Sequence, residues 1–389
     1  MGVNRISLSG KEEVMVSLAT PRKAAQGWCI GIGIALSLAI TLGIASCKGK
    51  SDAQNSPTPP SLSAVNLSGA GATFPYPLYS KWFDVYAQGH ADTRINYQSI
   101  GSGGGIKQLQ AGTVDFGASD APLSDDEVKT MPAPVVHIPT VAGAVALAYN
   151  LPDVPGGLKL SPEVVAGLFL GEITKWNDSK ITALNPQLKL PALPVAIAHR
   201  SDGSGTTYIF TNYLAAVSQT WATKVGKGKS VNWPVGIGGK GNEGVAGVLK
   251  QTPGSIGYVE LAYATQNKLT YVSIKNKAGQ FVAPSIESTT AAAASAEQAM
   301  QKNVRVSIVN AAGADAYPIS GFTYVLLYKD QKDAAKGTAL VDFLKWAIHD
   351  GQQQAGPLMY APLPKAVVTL NEHTLETITI NGQPIGKKP

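Results

Sequence analysis

Cysteine is almost missing: the 389-residue chain has two, Cys29 and Cys47, and both precede residue 48. Beyond that point disulfides, thiolate nucleophiles and Cys-based metal sites are excluded. Histidine is scarce too. The five residues, His90, His137, His199, His349 and His373, show neither H-x-x-x-H nor H-E-x-x-H spacing, so metal hydrolysis has no local signature. Charge is thin, with 15% charged residues, a formal net charge of +6 and no Lys/Arg cluster or basic-aromatic stripe. That excludes the footprint of a nucleic-acid binder and leaves a mild attraction for small anions. No G-x-S-x-G elbow, P-loop lysine or complete dinucleotide fingerprint occurs. No cofactor is implied.

The hydrophobic content of 44% suits a globular protein, and the length is enough for two domains with cores of their own. Arg22 and Lys23 precede an apolar and small-residue run from Trp28 to Ile44, which ends in Ile44-Ala45-Ser46-Cys47. Residues 1–47 read as a secretory leader whose end is similar to a lipoprotein processing site, with Cys47 as the lipidated new N-terminus. Ordinary signal cleavage nearby is the alternative, and the run is nearly long enough to pass for a membrane span. Translation could start at Met1 or Met15. The polar, proline-rich residues 48–63 read as a flexible tether.

The most informative stretch is His199-Arg200-Ser201-Asp202-Gly203-Ser204-Gly205-Thr206-Thr207. It lies between a strand pattern, Val195–Ala198, and a helical one carrying Tyr208, Ile209, Phe210, Tyr213 and Leu214. A helix starting there presents unpaired N–H groups and the positive end of its dipole, and Arg200 adds a planar cationic fork. This reads as an anion cradle; a polar loop with a Ser N-cap is the plainer alternative. Two further strand–loop–helix units carry the same chemistry, Gly69-Ala70-Gly71-Ala72-Thr73-Phe74-Pro75 and Gly101-Ser102-Gly103-Gly104-Gly105-Ile106. Val114 to Asp120 reads as a strand ending in an acid, and Ser124-Asp125-Asp126-Glu127 as a capping box.

Alternating short strands and helices predict an α/β fold with parallel or mixed sheets, helices on both faces and a ligand beyond the carboxyl ends of the strands. Two long apolar strands, Val135–Asn150 and Phe322–Tyr328, predict chain crossings near 141–146 and 317–323, a two-strand hinge. One lobe is then 64–143 with 318–389, and the other 144–317. The glycine-dense stretch 235–244 reads as cleft lining or, more simply, as a flexible surface loop. Residues 288–302, rich in alanine, read as an exposed helix.

Together these motifs resemble the periplasmic phosphate-binding proteins that serve ABC-type phosphate transporters. The matching segments are Gly69–Pro75, Asn96–Ser102, Val114–Ser124, Arg200–Thr206, Gly238–Asn242 and Gly254–Glu260, and the similarity spans about residues 65 to 365. The resemblance implies a two-lobed, type II-like solute-binding fold that closes on one phosphate, with a transmembrane permease as partner and no enzymatic role. By the same resemblance, phosphate would be held by Thr73, Phe74, Ser102, Asp120, Arg200, Ser204, Gly205 and Thr206, with Asp202 bracing Arg200. An ionised Asp120 would accept a hydrogen bond from the proton that phosphate still carries and would repel sulfate, which carries none. Gly103 and His199 depart from residues that some members carry, and residues after about 365 match less well. Another tetrahedral oxyanion as ligand, or a related extracytoplasmic phosphatase, are the alternatives.

Overall fold

The structure, a computed structural model, describes residues 64–385; the leader, the tether and Cys47 lie outside them. Eight strands build the main sheet: β1 (Val65–Gly71), β2 (Thr93–Ser99), β3 (Phe116–Ser119), β4 (Val135–Asn150), β5 (Ala196–Arg200), β6 (Ile237–Gly239), β7 (Ser255–Glu260) and β8 (Ser320–Tyr328). The helices that matter for the site are α1 (Tyr76–Gly89), α2 (Ser102–Gln110), α3 (Asp125–Thr130), α4 (Gly205–Val217), α5 (Gly241–Gln251), α6 (Ala334–Ile348) and α7 (Lys365–Glu376).

Strand order is β2-β1-β3-β8-β4-β7-β5-β6, and a two-residue strand, Thr270–Tyr271, adds to β4. The flanks are parallel blocks, β2-β1-β3 and β7-β5-β6. Between them β8 and β4 run antiparallel, both to each other and to their outer neighbours. The alternation of strand and helix thus yields a mixed sheet. β4 links the two halves of the sheet: through Ala144 it pairs with β8, and from Val145 onward with β7. It is buried from His137 to Tyr149, which explains a nearly unbroken apolar sequence where alternation would mark a strand with one wet face.

Pro139 interrupts β4 without breaking it. Tyr324 pairs with Pro139 while Thr323 pairs with Val141, so Thr140 is the extra residue of a bulge at the position where the proline withholds an N–H. At the bulge Thr140 donates to the Thr323 carbonyl at 3.2 Å and is bonded to Tyr79 at 2.8 Å.

Local signals behave as the residues demand. α3 begins with the capping box, Glu127 N–H donating to Ser124 Oγ at 3.2 Å and Ser124 N–H to Glu127 Oε2 at 2.9 Å. α1 buries Leu78, Tyr79, Trp82 and Tyr86 along one face. The alanine-rich segment corrects the sequence reading. It is helical over Ile286–Ala294 and again over Glu297–Met300, and Thr289, Ala292, Ala293 and Met300 are buried, because small side chains let it pack closely. Residues after 365 form α7, which anchors β4 through a bond of 2.7 Å from Asn371 Nδ2 to the Pro139 carbonyl.

Candidate anion-binding site

The carboxyl ends of the parallel strands deliver the site, as doubly wound sheets do. Thr73 follows β1, Ser102 follows β2, Asp120 follows β3, Arg200 ends β5, Asn242 follows β6 and Glu260 ends β7. The residues expected from sequence converge here: Thr73, Phe74, Ser102, Asp120, Arg200, Ser204 and Thr206 are all at most 3% exposed, and Gly205 is buried. Cross-loop bonds tie them together. Ser102 Oγ accepts Gly205 N–H at 3.0 Å and Asp120 N–H at 3.3 Å, so both of its acceptor positions are filled and its own proton is left to give. Ser204 caps α4, accepting Thr207 N–H at 3.0 Å. Gly205 is required by space: a Cβ there would lie 2.5 Å from Asp120 Oδ2, so the carboxyl stands against the first turn of α4.

Arg200 is oriented by its own loop. Nε donates to Asp202 Oδ1 at 2.8 Å, Nη2 to Oδ2 at 2.6 Å, and Nη1 to Thr206 Oγ1 at 3.3 Å. One edge of the guanidinium therefore serves Asp202, and the remaining N–H of each terminal nitrogen is available to an anion. Burial alone would raise the Asp202 carboxyl, but the bonds and charge of Arg200 and a 3.1 Å bond from Gly241 N–H hold it below the usual range. Asp120 goes the other way. Burial pushes its carboxyl up to about 7, against the smaller opposing effects of a 2.8 Å bond from Thr323 Oγ1 and the Arg200 charge. The sequence reading took Asp120 as ionised at neutral pH; before an anion arrives it is poised between the two forms.

Several buried residues that complete the site were not singled out from sequence. Asn242 Nδ2 donates to Thr73 Oγ1 at 2.8 Å and to Thr206 Oγ1 at 3.2 Å. The glycine-dense stretch is thus not a surface loop where it meets α5: Gly241 and Asn242 are buried in the site. Tyr263 and Tyr360 donate to the carbonyls of Thr73 and Phe74, each at 2.6 Å. Glu260, fully buried, has its carboxyl held well above the ordinary range by burial, with the Asp120 charge adding to it. The one usable hint was in the segments Gly238–Asn242 and Gly254–Glu260, which recur with the loops but carry no charge pattern of their own. His199 stacks on Trp233, ring centroids 4.9 Å apart, outside this network. Among the described residues no group of three or more His, Cys, Asp or Glu could hold a metal ion.

A buried cradle at the strand ends of two parallel blocks defines an α/β solute-binding protein, and residues 51–350 match the family described as a PBP superfamily domain. A solved high-affinity periplasmic phosphate-binding protein, described as bound with phosphate, shares this two-lobed fold with a TM-score of 0.62 at 22% identity, over 82% of this chain and 100% of that one. Within the superfamily the chain belongs to the PstS phosphate-binding proteins. It is 48% identical to the PstS protein of Xylella fastidiosa over 86% of this chain and 94% of the relative. It is 47% identical to that of Haemophilus influenzae over 80% and 93%.

Proposed function

We propose that this protein binds inorganic phosphate outside the cytoplasm and delivers it to the transmembrane permease of an ABC-type phosphate importer. The observation that carries the reading is the inventory of hydrogen-bonding groups. The site offers hydroxyl donors, the first turn of α4 and the free Arg200 N–H groups, all suited to a tetrahedral oxyanion, together with one facing carboxyl, Asp120, suited to an anion that still bears a proton. Thr73, Phe74, Ser102, Asp120, Arg200, Ser204, Gly205 and Thr206 contact the ligand, and Asp202 braces Arg200.

The lobes are 64–143 with 318–389, and 144–317; the change of partner along β4 at Ala144/Val145 supports a hinge there. Lipidation at Cys47 holds the protein to a membrane through the 48–63 tether. Among the described residues no helix is long and apolar enough to cross a membrane. The protein acts as a carrier and not as a phosphatase, in line with relatives named as binding proteins.

Calorimetry on the leaderless protein with phosphate, arsenate and sulfate tests the reading. Phosphate and its near-isostere arsenate bind and sulfate does not; sulfate binding as tightly as phosphate at pH 8 would transfer the function to another oxyanion. Nitrophenol release from an aryl phosphate would reinstate the hydrolase. Scattering should show a smaller radius of gyration with phosphate, and an unchanged radius in a sample that binds would remove the hinge.

A further inference from the structure

Asn242 is fully buried and stands 169 residues from Thr73 and 36 from Thr206, yet its amide touches both hydroxyls. Its orientation is set by chemistry. Glu260 N–H, which can only donate, lies 3.0 Å from Asn242 Oδ1, so the oxygen must face Glu260 and the NH2 must face the threonines. Thr73 Oγ1 receives Asn242 Nδ2–H at 2.8 Å and Asn242 N–H at 3.3 Å. Thr206 Oγ1 receives Asn242 Nδ2–H at 3.2 Å and Arg200 Nη1–H at 3.3 Å.

A hydroxyl oxygen has two acceptor positions and one proton. In both threonines the acceptor positions are filled by the protein, and among the described residues neither hydroxyl proton has a protein acceptor. Resting on the phosphate reading above, we propose that Asn242 is a positioning residue. By filling the acceptor sides of Thr73 and Thr206 it commits both hydroxyl protons to the bound anion, leaving Asp120 as the acceptor for the proton on the ligand. Removing Asn242 would let each hydroxyl turn and accept instead of donate, which weakens the hold on a dianion.

Asn242→Asp tests this because it keeps the shape and reverses the polarity: a carboxylate accepts from both threonines and turns their protons away. Phosphate affinity is measured by calorimetry for wild type, Asn242→Asp, Thr73→Val and the double variant, with melting curves as a check on folding. In the wild-type background Thr73→Val should weaken binding about tenfold or more, as loss of a hydrogen bond to a charged group does. In the Asn242→Asp background the same change should cost less than about twofold, since that hydroxyl no longer donates to phosphate. Equal losses in both backgrounds would show that the aspartate acts through its charge alone and would overturn the proposal. Should Asn242→Asp fail to fold, Asn242→Ala with Thr206→Val makes the same comparison: losses that multiply independently sink the idea, and a double variant much better than the product sustains it. A wild type that takes up no phosphate overturns both this proposal and the reading beneath it.

Discussion

Asp120 and Asp202 flank the same arginine, and burial raises both, yet one ends ionised and the other poised between its two forms. Asp202 ends a turn that gives it two guanidinium bonds and the Gly241 N–H, and it stays ionised. Asp120, 3% exposed at the end of β3, has a hydroxyl from Thr323 on one oxygen while the other faces the start of α4, and its carboxyl rises to about 7. The difference teaches that the site is divided by task. One carboxylate neutralises and aims the cation, and the other is left partly unmatched, which on the function proposed above is where the ligand's proton would bind.

The strongest way to break the contrast is to remove the fork that defines one side of it. Arg200→Lys keeps the charge but cannot serve Asp202, Thr206 and an anion together, so phosphate affinity should fall about 100-fold or more. Calorimetry decides; affinity within about threefold of wild type would place the cradle elsewhere.

Asp120→Asn attacks the other side. The variant retains shape and should still bind phosphate, while discrimination against sulfate, which an acceptor facing an unprotonated anion can raise to about 10⁴-fold, should drop by about 100-fold. Competition titrations give the ratio. A variant that rejects sulfate as strongly as wild type would end the selector role.

The raised Asp120 carboxyl adds a pH term. Its neutral form can donate to sulfate, and that form is lost as pH rises through about 7. Sulfate affinity of the wild type should therefore fall about tenfold per unit above that pH and level off below it. A flat profile between pH 6 and 9 would show that Asp120 does not set the rejection.

The smallest effect concerns the rim. Lys229 Nζ reaches Glu127 Oε2 at 2.7 Å from a loop whose carbonyl also accepts Ser204 N–H, which ties α3 to the cradle loop. Both side chains are partly exposed, so Glu127→Gln should weaken phosphate binding only about two- to fivefold, and high salt should abolish the difference. A loss above about 30-fold would promote this pair from rim contact to part of the site.

Much of the site was legible because its chemistry is contiguous. In Gly69–Pro75, Gly101–Ile106 and His199–Thr207, glycines, hydroxyls and a strand-to-helix change fall within a few residues, and the structure brings these loops to the strand ends with Thr73, Ser102, Arg200, Ser204 and Thr206 buried. The strand–helix alternation likewise announced an α/β sheet, and Ser124–Glu127 announced a helix start.

What the amino-acid sequence by itself determined is whatever a short segment's own chemistry dictates: which stretches pair or coil, where helices begin, and which loops can approach an anion. The tertiary structure decided the rest. Asn242, Thr323, Tyr263 and Tyr360 carry no sign in the sequence of their part in the site, because a polar residue has a role only where folding supplies its partner. The different titration of Asp120 and Asp202 was equally beyond sequence. A carboxyl's charge depends on burial and on the donors around it, and those are fixed only when the sheet sets β3 beside β8 and folding brings the end of β5 to the same site.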